Sequence, residues 1–320
     1  MKAFSFGTYA LSAGVAVALL AGCGGSQPPI GAPGAMPQSV MDSSQYAHSG
    51  PLLYVSNDGD YHDVKVYAAD AKDPSPIETI SDDLQFPSGI CLDGQGTLYV
   101  TDQDGWVAEY PPGKTKPSKI ITKGINNPAF CAIDSTGNLW VTNLFGPNVT
   151  EYLKGSTKPH TVITKGLVYP VGIAIDHSGN MYVSNGSYGP TYNVVVYSPG
   201  SKSPSRTITN GVTAPVGIAV DAKGTLYVAN YGTCNVEEYL SGQEQPYQEI
   251  TDEINGPSGL TVGKNGWLYV SNTGYQSCNS DYPWNLILEF PPGSITPSAR
   301  EISKGLYLPW GTAYSPPLRP

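Results

Sequence analysis

From Leu52 onward the chain is a succession of short segments in which large apolar residues alternate with small or polar ones, each segment closed by Gly, Pro, Asp or Asn. A period of two is the strand signature, and the punctuation marks turns. Between positions 51 and 320 the longest stretch free of Gly and Pro is residues 60–73. Helices average about 11–12 residues and tolerate neither residue well inside. A helical or α/β architecture is therefore excluded.

The segments fall into four series of six. An aromatic–Val pair recurs at Tyr54, Tyr99, Trp140, Tyr182, Tyr227 and Tyr269, in steps of 45, 41, 42, 45 and 42 residues. A second apolar run is closed by Tyr67, Tyr110, Tyr152, Tyr197, Tyr239 and Phe290. A third opens on Pro two residues before Gly, at Pro87, Pro170, Pro215, Pro257 and Pro309, with Pro128 and Phe130 in the remaining slot. Short tails ending in Ile80, Ile121, Ile163, Ile208, Ile250 and Ile302 complete the set. Twenty-four strands, four to a unit of about 42 residues, are the pattern of an all-β, six-bladed β-propeller with four antiparallel strands per blade. The first unit lacks its Pro-x-Gly strand, and the chain ends on one with nothing after it, so the C-terminal strand is expected to complete the first blade and close the ring.

The span 52–314 resembles the NHL-repeat family of six-bladed propellers. The resemblance is carried by runs such as Pro215-Val216-Gly217-Ile218-Ala219-Val220-Asp221, Gly224-Thr225-Leu226-Tyr227-Val228-Ala229-Asn230 and Val236-Glu237-Glu238-Tyr239. The Leu-Tyr-Val-Ser/Thr/Ala-Asn core is also similar to the YVTN repeats of surface proteins. The family's Arg before the third strand is replaced here by Asp63, Gly105, Asn148, Asn193, Asn235 and Asn285. Missing arginines and a net charge of −9 argue against nucleic-acid binding through phosphates.

The N-terminus sets the compartment. Lys2, an apolar run over residues 11–20 and the sequence Leu20-Ala21-Gly22-Cys23 resemble a bacterial lipoprotein signal. Residues 1–22 then form the signal peptide, and Cys23 carries the lipid. Residues 23–51, rich in Gly, Pro and Ser, read as a disordered tether reaching about 30 Å. Residues 52–316 are the propeller. The expected location is the bacterial cell envelope, lipid-anchored at the outer membrane or cell surface, extracytoplasmic.

Composition sharpens this picture in two respects. Charged residues are only 13% of the chain while 22 are Tyr, as expected where aromatic residues fill the spaces between blades. Beyond Cys23, four cysteines remain, an even number suited to an oxidising compartment. Cys234 and Cys278 lie in corresponding loops of adjacent blades, and a disulfide between them would pin the longer loop. Cys91 and Cys131 lie on innermost strands of adjacent blades, either bridged or as two buried thiols.

The propeller resemblance implies that loops from second to third strands, and those entering each innermost strand, share one face around the central channel, where ligands usually bind. Asn57, Asp102, Asn143, Asn185, Asn230 and Asn272 end the six second strands. They read either as turn-closing side chains or as a polar ring for a sugar or for a divalent cation such as Ca²⁺. Asp93, Asp134, Asp176 and Asp221 read as turn formers on the opposite face. Asymmetry points elsewhere: the second-to-third connections are longest in blades four and six, and carry Tyr188, Tyr192, Tyr275, Tyr282 and Trp284, with Phe145 in blade three. Aromatic side chains on loops offer flat apolar faces suited to stacking on sugars or gripping peptides. The four His (His48, His62, His160 and His177) form no readable metal site or triad. The leading expectation is a non-catalytic binding protein for a carbohydrate, peptide or envelope protein, with no cofactor. The alternative is a metal-dependent hydrolase or lactonase of the gluconolactonase type, using Asp102 and the Asn ring.

Overall fold

A computed structural model describes residues 50–186, 191–274 and 281–317. They form six antiparallel sheets and no helix. In blades two to six the innermost strands are Pro87–Leu92, Pro128–Ile133, Pro170–Ile175, Pro215–Val220 and Pro257–Val262. In blade one Pro309–Ser315 pairs with Leu52–Asn57, followed outward by Asp63–Ala68 and Glu78–Ile80. Each innermost strand touches the next in sequence order, and Pro309–Ser315 lies between Pro257–Val262 and Pro87–Leu92. The ring is closed by the C-terminal strand, as the incomplete first and last repeats require.

The Pro-x-Gly motif explains how the blades meet at the axis. In every blade the pairing of the first and second strands shifts register within this motif, for example between Pro215 and Ile218. The displaced backbone brings neighbouring innermost strands into direct contact. A Cβ on Gly217 would lie 2.1 Å from the Ser258 carbonyl, and one on Gly172 would lie 2.3 Å from that of Val216. No side chain fits there. Hydroxyls from the second strands fasten the same contact. Thr101 Oγ1 donates to the Gly89 and Ala129 carbonyls, at 2.9 and 2.8 Å. Ser184 Oγ accepts from the Gly172 amide and donates to the Val216 carbonyl, at 2.7 and 2.6 Å.

Farther out the blades diverge and apolar side chains fill the wedge. One cluster joins Val64, Val66 and Ile80 of blade one to Ile90, Leu98 and Val100 of blade two. Another joins Val107 and Ile121 to Leu139, Val141 and Tyr152. The strand-three tyrosines lie deeply buried and span this gap. Tyr67, Tyr152, Tyr197 and Tyr239 donate through their hydroxyls to the carbonyls of Lys304, Lys123, Lys165 and Asn210, each just beyond the preceding blade's outermost segment. Between blades two and three Cys91 and Cys131 form a disulfide, with Cα atoms 5.7 Å apart and 40 residues of separation. A loop of that length limits the unfolded chain enough to contribute about 4 kcal/mol on the chain-entropy account.

Blade six departs from the expected pattern. Its fourth strand is reduced to a single bridge, Ile287 to Ile302. In blade four Ser205, bonded to the Val196 carbonyl, and Ile208 are three positions apart; in blade six the corresponding Ser298 and Ile302 are four apart. One extra residue bulges the edge and ends the ladder. Arg300, within this bulge, lies 4.6 Å over the Trp267 ring and donates to the Ala69 carbonyl at 2.8 Å. Its Nη2 is also 3.4 Å from the fully buried Glu289 carboxylate. Charge thus enters the seam between the last blade and the first.

The contact at the axis can be tested with two glycines. Gly217→Ala should lower the melting temperature by several degrees, since overpacking costs about 1–3 kcal/mol. Gly94→Ala, where a Cβ meets nothing within 4 Å, should leave it unchanged. Equal effects from the two substitutions would refute the backbone-contact explanation.

Candidate functional site on the loop face

Two sets of loops share one rim of the ring, here called the upper face: those from second to third strands, and those entering the innermost strands. They are stitched together around the channel mouth. The amides of Asp58, Gln103, Leu144, Gly186, Tyr231 and Thr273 donate to the carbonyls of Leu308, Phe86, Asn127, Tyr169, Ala214 and Gly256. Each acceptor immediately precedes the proline of an innermost strand.

The six strand-two Asn and Asp side chains build this stitching. All are buried. Asn143 Oδ1 accepts from the Asn126 amide at 2.9 Å, and Asn185 Oδ1 from the Val168 amide at 2.7 Å. Asn230 and Asn272 accept in the same way from the Thr213 and Asn255 amides. Their Nδ2 groups donate to the carbonyls of Gly124, Gly166, Gly211 and Glu253, 19 residues earlier. Asn57 does the same through closure, bonding the Gly305 carbonyl and the Tyr307 amide. Asp102 accepts the amides of Gln85, Phe86 and Asp104. The residues do bond backbone, but mainly that of the loop arriving from the previous blade rather than the turn each one begins. Among the described residues no group of three or more His, Cys, Asp or Glu is arranged to bind a metal ion. On the opposite, lower face, Asp93, Asp134, Asp176 and Asp221 each accept two amides of their own turns.

The expected loop aromatics divide into three groups. Phe145 and Trp284 are exposed, at 63% and 55%. Tyr192 is half-buried against the core between blades four and five, and Tyr282 is half-buried with its carbonyl near Asn255 Nδ2. Tyr188 and Tyr275 lie outside the described residues. Cys234 is buried and disulfide-bonded, and its Sγ accepts from the Gly256 amide at 3.4 Å. Its expected partner Cys278 also lies outside the described residues.

A second aromatic group was not anticipated. Tyr61, Phe86 and Tyr307 are exposed on the upper face around blade one. Tyr61 meets Tyr307 edge-on at 6.4 Å, and His62 meets Phe86 at 5.3 Å. His62 Nδ1 is buried without a hydrogen-bond partner. Lys65 Nζ lies 5.6 Å from the Tyr61 ring centroid while pairing with Asp63 at 2.7 Å. Beside this group a hollow of about 230 Å³ is lined by Asp83, Gln85, Trp106 and Ile120. Phe86 and Tyr307 belong to the loops entering innermost strands, and their signal in the sequence is an aromatic residue one or two positions before the Pro of Pro-x-Gly.

Trp310, from the innermost strand of blade one, packs against a cluster containing Phe130, Val171 and Val216 of blades three to five. Phe130 occupies the slot that is Gly elsewhere, so the broken repeat places a ring near the axis. At the mouth, burial and the nearby Asp102 push the Asp58 carboxyl up to about 7. Asp102 is raised too, by burial, against three backbone hydrogen bonds that lower it.

Among the other raised carboxyls, Glu237 is pushed to about 7, by burial and by Glu249 opposite it, and Glu289 to about 8, by burial against the opposing effect of Arg300. Unfolded carboxyls ionise near 4. Between about pH 4 and 8 the native chain therefore holds protons that the unfolded chain has released, and stability must fall as pH rises across that window. The melting temperature should be higher at pH 5 than at pH 8, and Asp58→Asn should flatten the part below 7. A rise from pH 5 to pH 8 would contradict these assignments.

No protein-family model matches the chain, and no curated protein matches it. Solved structures do. A chain of the nidogen/laminin complex superimposes with a TM-score of 0.68 at 16% identity, covering 83% of this chain and 98% of that one. A protein of unknown function from Bacteroides caccae gives 0.67 at 12% identity, covering 83% and 99%. Hydrazine synthase of Kuenenia stuttgartiensis gives 0.51 at 16%, covering 65% and 77%. At these identities the likeness establishes the architecture: a six-bladed β-propeller.

Proposed function

We propose that this chain is a lipid-anchored, extracytoplasmic propeller of NHL type that binds a carbohydrate, peptide or protein on its upper face. One observation carries the reading. Six aromatic side chains are exposed among the described residues: Tyr61, Phe86, Phe145, Tyr247, Trp284 and Tyr307. All but Tyr247 stand on the loops of the upper face. Exposed aromatics concentrated on one rim are costly to leave in water and are the residues that dominate recognition surfaces. The lipoprotein-like signal ending at Cys23 and the Gly/Pro/Ser-rich segment after it support a membrane tether for that surface.

Binding to a glycan array and to purified envelope peptides tests the reading. Tyr61→Ala with Tyr307→Ala, or Phe145→Ala with Trp284→Ala, should weaken binding at least about 30-fold, the effect of losing roughly 2 kcal/mol at an aromatic anchor. Tyr247→Ala should bind normally. Loss with Tyr247→Ala alone would place recognition on the other face. A divalent ion retained at one per chain after dialysis, with a melting temperature that drops on chelation, would favour the metal-dependent hydrolase instead. For the anchor, labelled palmitate should enter the wild-type protein in a bacterial host and fail to enter Cys23→Ser.

A further inference from the structure

Each blade carries a cross-strand row on its lower half: the strand-two aromatic, the strand-three residue opposite it, and the strand-four residue opposite that. In blade two the row is Tyr99, Glu109 and Lys119, and Lys119 Nζ lies 3.0 Å from the Glu109 carboxylate. In blade four it is Tyr182, Val196 and Arg206, with the Arg206 guanidinium 5.9 Å from the Tyr182 ring centroid. In blade five Gln248 faces Glu238. In blade six the bulged Arg300 reaches Glu289. A long polar or charged side chain thus fills the strand-four slot in these four blades and, as Glu78, in blade one; it pairs with the strand-three glutamate in blades two and six and covers the aromatic in blade four.

Blade three breaks this rule. Its row is Trp140, Glu151 and Thr161. Thr161 is too short to cover the aromatic or pair with the acid. A hollow of about 280 Å³ opens there between blades three and four, walled by Trp140, Glu151, Thr161, Asp134, Tyr197 and the turn that bears Lys202. Glu151 is only 8% exposed. Its Oε1 accepts from Asn138 Nδ2 at 3.2 Å, and it has no ion-pair partner among the described residues. The Trp140 indole N–H donates to Asp134 Oδ2 at 3.0 Å, which fixes the ring. Burial opposes ionisation of Asp134, but hydrogen bonds from Thr136, Trp140 and Asn138 outweigh it and keep that carboxyl below the usual range. Two carboxyl groups and an aromatic ring thus line a space whose cationic lining residue, Lys202, forms an ion pair with neither acid among the described residues.

We propose that this hollow binds a cationic group, a lysine ammonium or arginine guanidinium of a peptide or the ammonium of a free amine, which occupies beside Trp140 and Glu151 the place that Lys119, Arg206 and Arg300 hold in their own blades. The site lies on the lower half of the ring and is independent of the upper-face reading. Upper-face variants should leave it intact.

Calorimetric titration of the full chain with N-acetyl-lysine methylamide, N-acetyl-arginine methylamide and cadaverine tests it, with N-acetyl-norleucine methylamide as the uncharged counterpart. Saturable binding at one per chain is expected for the cations, weakening with added salt, and at least tenfold weaker for norleucine. The acylated amino acids binding more tightly than cadaverine would assign the site to a peptide; equal binding would assign it to a free amine. Glu151→Gln should weaken binding tenfold or more. Thr161→Lys restores the row of blade two, so it should abolish binding while the melting temperature stays at or above the wild-type value. That variant separates a lost site from a lost fold. Lys202→Ala should bind as well as wild type or better. No saturable binding of any cation, norleucine binding equally well, or an unaffected Thr161→Lys would each overturn the proposal.

Discussion

Six sheets can share one axis only if their innermost strands approach more closely than side chains allow, and this steric limit organises the molecule. Packed sheets ordinarily lie about 10 Å apart because side chains from both faces fill the gap. At the hub that gap closes to backbone contact, and glycine is required at Gly172, Gly217, Gly259 and Gly311. Radius then dictates residue size. Gly and the small hydroxyl residues sit nearest the axis, Val, Ile and Leu fill the middle of the wedge, and the tyrosines close it farther out, where their hydroxyls reach the preceding blade. The abundance of Gly and Tyr and the scarcity of charge are consequences of this geometry.

Where a blade departs from the pattern, the departure has a physical result. Phe130 in a glycine slot puts a ring near the axis, joined there by Trp310. One added residue before Ile302 ends a ladder and lets Arg300 reach the buried Glu289 at the seam where the ring closes. A threonine in place of a long side chain stands at the edge of the hollow between blades three and four. Repetition supplies stability through equivalent contacts, so chemistry has room to appear only where equivalence fails.

The repeated strands were legible because strand period, turn residues and unit length all recur, and six copies average out local ambiguity. The tyrosine series, the Pro-x-Gly series and closure by the last strand follow from the order of the segments. The same averaging concealed other features. The Asn and Asp series looked like turn formers because sequence proximity suggests bonds to the nearest turn; their partners instead lie mostly 17 or 19 residues earlier, across the junction from the preceding blade. Phe145 and Trp284 stood out in loops of unusual content. Tyr61, Phe86 and Tyr307 did not, because ring closure alone brings Tyr307 from the end of the chain beside Tyr61 near its beginning.

Sequence by itself determined the number of blades, their strand order, the means of closure and the residues of each interblade layer, since all of these depend on periodicity and size, which are local properties repeated along the chain. Tertiary structure decided which of the paired alternatives was real. Cys91 and Cys131 are bridged because the strand registers of adjacent blades face them, and the Asn ring serves the loops because its amides point along the seam between blades. It also decided where surface is left uncovered. An exposed ring or an unpaired carboxylate is defined by the neighbours it lacks, and those neighbours belong to other blades, distant in the chain and close only in the folded ring.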